Sequence, residues 1–93
     1  MHLVTSSALA RLKANKNAYE HFERKRPLYL KIAKDADEFC AKYPELQKDE
    51  TRVSLVAKSI YEIDTGIFAL KTNDMSAKEI ADTFARMVVG HAT

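Results

Sequence analysis

The side chains able to carry chemistry are few and scattered. His2, His21 and His91 lie far apart, and none stands three or four residues from another histidine or from the single cysteine, Cys40. A zinc site draws three or four ligands from matched spacings, and this sequence spells out no such cluster. His21, with Glu20 and Glu23 beside it, reads as a surface residue of a charged helix. A nucleophilic cysteine needs an electropositive setting that favours its thiolate. Cys40 has Phe39, Ala41 and Tyr43 around it instead, and reads as a small core residue.

The carboxylates divide in the same way. Asp35, Asp37 and Glu38 cluster in sequence, but on a helix only Asp35 and Glu38 share a side. Acid–base pairs need burial to drive their pKa values apart, whereas alternation with Ala36 and Phe39 predicts a solvated face. Glu62 and Asp64 interrupt the most apolar stretch of the chain. They read as rim charges that limit an apolar stripe, with partner selection or contact with Arg24 to Arg26 as the alternative. There is no glycine-rich phosphate loop and no nucleophile elbow. The expectation is a protein that is not an enzyme and uses no cofactor or metal.

The elements carrying these residues read as helices. Val53, Val56, Ile60, Ile63, Ile67 and Leu70 are spaced three, four, three, four, three, which is the repeat of a helix seam and forbids a strand. Leu55, Tyr61, Phe68 and Ala69 are expected on the other side, so this helix must be covered twice. Before it, Leu9, Leu12, Tyr19 and Phe22 form one stripe, with Thr5, Ser6 and Ser7 as N-cap candidates. Tyr29, Ile32, Ala36, Phe39 and Tyr43 form the next. Pro27 lacks an N–H and disfavours helical angles at Arg26, so a boundary is expected there. The two stripes are nearly in phase, and one long helix kinked at Pro27 is the alternative. Asp49 reads as the N-cap of the central helix. Ser76-Ala77-Lys78-Glu79 is a capping box with Met75 and Ile80 as its staple, opening a last helix that buries Ile80, Phe84, Met87 and Val88. Gly90 suits the position just past its end. The expected helices are therefore 7–25, 27–43, 50–71 and 76–89, in one domain over 1–93.

This is an all-α chain, a small antiparallel bundle of three to four helices. A hydrophobic share of 46% with 30% charged residues argues against disorder. One cysteine cannot form an intrachain disulfide, the first residues do not read as a signal peptide, and no apolar run is long enough to span a membrane. A cytoplasmic protein is expected. A core this small gains from dimerisation, and a two-fold homodimer through the central helix is expected.

Charge is segregated along the chain. Arg11 to Lys34 holds eight Lys/Arg against two acids, and Asp35 to Glu50 holds six acids against two lysines. Such a division marks a nucleic-acid or acidic-partner surface, or two solvated faces that meet in the fold. A helix-turn-helix starting at Ser76 fails, because the helix continues and no recognition helix follows. In size, basic character and helix-rich pattern the chain resembles the small cytosolic bacteriocin immunity proteins, which are antiparallel helical bundles. No motif residue is shared, and no functional residue is carried over. The expected function is a non-catalytic regulator, inhibitor or immunity-type factor that binds another protein. Its contact residues would be Leu55, Tyr61 and Phe68, with Arg24, Lys25, Arg26 and Lys31 steering it to an acidic surface. Nucleic-acid binding through the Arg11–Lys34 surface is the alternative.

Overall fold

Thr5 opens the first helix, its hydroxyl accepting a hydrogen bond from the N–H of Ala8 at 3.1 Å. The computed structural model describes residues 3–89. It contains four α-helices: α1 (Ser6–Ala14), α2 (Lys16–Ala41), α3 (Asp49–Ile63) and α4 (Ala77–Val89). Two 3-10 segments, Pro44–Leu46 and Thr65–Leu70, lie before and after α3. The all-α bundle expected from the sequence is what the chain forms. Gly90, His91 and His2 lie outside the described residues.

The first helical boundary falls at Asn15 and not at Pro27. Asn15 leaves helical angles (φ −89°, ψ 84°), ends α1 and begins α2. Its side-chain oxygen accepts from the N–H of Ala18 at 3.2 Å, and its amide donates to the carbonyl of Leu70 at 2.7 Å. Helix α2 runs through Pro27 without interruption for 26 residues, about 39 Å of rod, which matches the 38 Å long dimension of the molecule. Phe22 and Tyr29 explain the continuity: they stand two turns apart on one face, and both are buried. Pro27 lies on the exposed side, where the Glu23 carbonyl it leaves without an intrahelical donor can bond to water. Asn15→Ala should cost about 1–2 kcal/mol, because it removes the cap of α2 and the tie to Leu70. Urea denaturation at pH 7 measures it.

The central helix is also shorter than its apolar repeat. Val53, Val56 and Ile60 are buried as expected, but α3 ends at Ile63, which is 58% exposed. Lys48 rather than Asp49 takes the N-cap position, and Asp49 opens the first turn. Ile67 still reaches the core, delivered by the 3-10 segment. In α2 the buried line is Ala18, Phe22, Tyr29, Ala33 and Cys40, so Phe39 and Tyr43 face outward, contrary to the expected stripe. Helix α4 keeps its predicted start: the N–H of Glu79 bonds to the Ser76 hydroxyl at 3.2 Å, with Met75 and Ile80 buried. The Glu79 carboxylate turns instead to Arg11, 3.3 Å away. Helix α4 packs most extensively on α3, and both rest on α2. Phe22, Tyr29 and Phe84 form the aromatic centre, with ring centroids 5.1–5.8 Å apart.

Candidate functional site

The chemistry-bearing residues that come together are not those expected to. Asp64, expected at a rim, is buried, and so is His21, expected on a charged surface. The reason is local. Asp64 ends α3 with extended angles and accepts the N–H of Gly66 at 3.1 Å, an Asx turn that opens the 3-10 segment. That turn swings the carboxylate inward to α2. There Oδ2 meets Nε2 of His21 at 2.6 Å and accepts the hydroxyl of Tyr29. Nη2 of Arg24 lies 3.4 Å from His21 Nδ1. A guanidinium only donates, so Nδ1 accepts, and Nε2 carries the proton given to Asp64.

Gly66 suits this closure through size, not backbone freedom. A Cβ there would stand 3.2 Å from Cε1 of His21 and 3.3 Å from Oδ1 of Asp64. Burial pushes the Asp64 carboxyl up, but hydrogen bonds from Tyr29, then His21, then the Gly66 N–H outweigh it and hold the carboxyl below its ordinary range. The Tyr29 hydroxyl is raised far above its ordinary value, by burial first and then by its bond to Asp64. Asp64-Thr65-Gly66 carried a turn signal in the sequence, and it points to this junction once the helix repeat is not forced through it.

A His–Asp pair orients imidazoles in nucleophilic catalysis. Here the second ring nitrogen faces Arg24. Cys40 is on the same helix as His21, about 28 Å further along it. The arrangement joins α2 to the end of α3. Among the described residues, no group of three or more His, Cys, Asp or Glu is placed to hold a metal ion. No described helix is long and apolar enough to cross a membrane.

The expected contact residues divide into two groups. Tyr61 and Phe68 meet edge to face with centroids 4.9 Å apart, and Phe68 is 45% exposed. Leu55 is half-buried on α3, earlier in the helix than Tyr61 and turned about 120° from it, so it does not continue their line. Tyr61 lines an open groove of about 780 Å³ between α1, α3 and α4. Ala8, Ala57, Ala81 and Met75 form its apolar lining, while Arg11, Lys58, Lys78, Glu62, Glu79 and Asp82 supply charges of both signs. The Lys78 ammonium sits 5.6 Å from the centroid of the Tyr61 ring.

The basic residues lie along α2. Arg24 touches His21, which packs against Gly66, two residues from Phe68. Arg26 pairs with Glu23 at 2.6 Å and covers the Phe22 ring. Lys25 and Lys31 are exposed, without an ion pair among the described residues. Elsewhere Arg52 holds Asp37 and Asp49, and Arg86 binds both oxygens of Glu50 as well as Asp82. Glu50 is thereby lowered below its ordinary range, first by its hydrogen bond to Arg86 and then by that charge.

Comparison of the chain with protein-family models, with curated proteins and with solved structures finds no match.

Proposed function

We infer that this is a non-catalytic cytoplasmic protein, a regulator, inhibitor or immunity-type factor, that works by docking onto another protein. The observation that carries the reading is the Tyr61–Phe68 pair, in which half-buried Tyr61 lines the groove beside α3 and Phe68 against it is exposed. Aromatic side chains held rigid by each other lose little conformational entropy on binding and dominate contact energies. The alanine-lined groove next to them admits close approach of a partner's backbone, and its mixed charges suit an amphipathic helix. Arg24, Lys25, Arg26 and Lys31 add a positive field that favours an acidic partner and speeds encounter.

Affinity capture from the source organism's lysate, run with and without nuclease, tests this when wild type is compared with Tyr61→Ala and Phe68→Ala. A protein retained after nuclease, and bound at least ~30-fold more weakly by either variant, is the expected result. Both variants should keep their helical circular dichroism, since Phe68 is exposed and Tyr61 only half-buried. Capture that vanishes with nuclease, with binding that weakens steeply as salt rises, would instead assign the function to the Arg11–Lys34 surface and nucleic acid.

A further inference from the structure

Helix α2 is one rod, and the charge division of the sequence lies along it. Its first part carries Lys16, Arg24, Lys25, Arg26, Lys31 and Lys34 against Glu20 and Glu23; Asp35, Asp37 and Glu38 follow, with Lys42 and Glu45 just beyond its end. The sign changes between Lys34 and Asp35. The two segments do not neutralise each other inside the chain. Lys16 pairs with Glu20, Arg26 with Glu23, and Asp37 with Arg52 of α3. Among the described residues Lys31, Lys34, Asp35 and Glu38 form no ion pair.

An apolar line runs along the same side of the rod. Leu28, Phe39 and Tyr43 are 38%, 49% and 43% exposed, and Ile32 is half-buried between them. Leu28, Ile32, Asp35 and Phe39 step by four, three and four, a second seam distinct from the buried one of Phe22, Tyr29, Ala33 and Cys40. Arg24, Lys31 and Glu38 are each seven residues apart, so they form one column beside this second seam.

From Leu28 to Phe39 the helix carries a basic end, an acidic end and a seam of Leu28, Ile32 and Phe39. This stretch is complementary to itself turned end for end, with Asp35 level with the second copy's Lys34. We propose that two copies of the chain pair through this side of α2, antiparallel, about a two-fold axis near Lys34. Lys31 then faces the partner's Glu38, and Glu38 faces the partner's Lys31. Leu28 comes within a turn of the partner's Phe39. A parallel arrangement would set Lys31 against Lys31 and Glu38 against Glu38. A second copy is the occupant because it supplies both signs in the required order along one seam. The pairing goes beyond the docking reading and uses a different surface from Tyr61 and Phe68. It uses Lys31, with Arg24 in the same column, for the contact between copies, so that within a dimer the positive field that favours an outside partner comes from Lys25 and Arg26.

Charge exchange in the full chain tests the proposal by sedimentation equilibrium at low and high salt. Wild type should be a concentration-dependent dimer that weakens as salt rises. Lys31→Glu and Glu38→Lys should each raise the dimer dissociation constant by roughly tenfold or more, since each replaces two attractive contacts with two repulsive ones. Mixing the two variants in equal amounts should restore dimers, now between unlike chains. Both side chains are exposed, so the helical circular dichroism of each variant should match wild type. A wild type that stays monomeric up to millimolar concentration, single reversals that leave the dimer intact, or a mixture that stays monomeric would each overturn it. The Tyr61 and Phe68 variants should leave this equilibrium unchanged, which separates its failure from that of the docking reading.

Discussion

Asp64→Ala should destabilise the protein by about 3–5 kcal/mol, because it strands buried donors that each cost about 1–3 kcal/mol when left without an acceptor. The acceptor it removes serves His21 Nε2, the Tyr29 hydroxyl and the Gly66 N–H together. No water-exposed route replaces it, since His21 and Tyr29 both lie in the interior. Against the roughly 5–15 kcal/mol that holds a domain folded, this is a third or more of the total. Tyr29→Phe alone should cost about 1.5–3 kcal/mol, the value of a hydrogen bond to a charged group. In the Asp64→Ala background the same change should cost nearly nothing, because the hydroxyl it deletes is already unpaired. Denaturant unfolding of the two single variants and the double variant measures that coupling. Additive losses would mean that the three groups do not act as one unit.

The sign of the pH dependence follows from the lowered Asp64 carboxyl. A carboxylate held below its unfolded value of about 3.9 adds stability in full above that pH. The contribution disappears as pH falls through the lower folded value. Wild-type stability should therefore fall on acidification below about pH 4, and the Asp64→Ala curve should be flatter over the same range.

Pro27→Ala should have the second largest effect, and in the opposite direction. A proline inside a helix is about 3 kcal/mol worse than alanine, having no N–H and a ring that crowds the preceding turn. Residue 27 is in the middle of α2 and exposed, so alanine can restore the bond to the Glu23 carbonyl without disturbing the core. The gain should be about 2–3 kcal/mol, raising the melting temperature by roughly 10 °C or more for a chain of this size. Had Pro27 opened a separate helix, the same change would be neutral or unfavourable. Differential scanning calorimetry distinguishes the two.

Much of the helical plan was legible, and its failures are instructive. The repeat of Val53, Val56 and Ile60 was read correctly because three buried turns of one helix leave no other spacing. Extending it through Ile63 failed because a periodic pattern does not record a change of helix type. Ile67 remains buried after the backbone has tightened into a 3-10 segment, and Asp64 with Gly66 marks the place. Pro27 misled because the rule for proline weighs only the local backbone, while Phe22 and Tyr29 on either side hold the rod in the core. Asn15 carries no boundary signal as strong as a proline, yet it is the junction, since its amide finds Leu70, distant in sequence. The burial of His21 could not be read at all from its glutamate neighbours. It depends on a carboxylate brought from 43 residues away. Tyr61 and Phe68, expected on a shared side, do meet, though Phe68 arrives from the 3-10 segment and Leu55 stays apart.

The one-residue junction at Asn15 also limits how the chain can change length over evolutionary time. An added residue taken up in helical angles at the end of α1 would turn the rest of that helix by about 100° about its axis and shift it by about 1.5 Å. Leu12, which has no exposed surface, would leave its place, and Arg11 would lose Glu79 and the Asp74 carbonyl in the same step. Insertions and deletions at this point are therefore not absorbed locally, as they are in a loop. They are transmitted to the whole first helix, which makes residue 15 a point of fixed length in an otherwise adjustable chain.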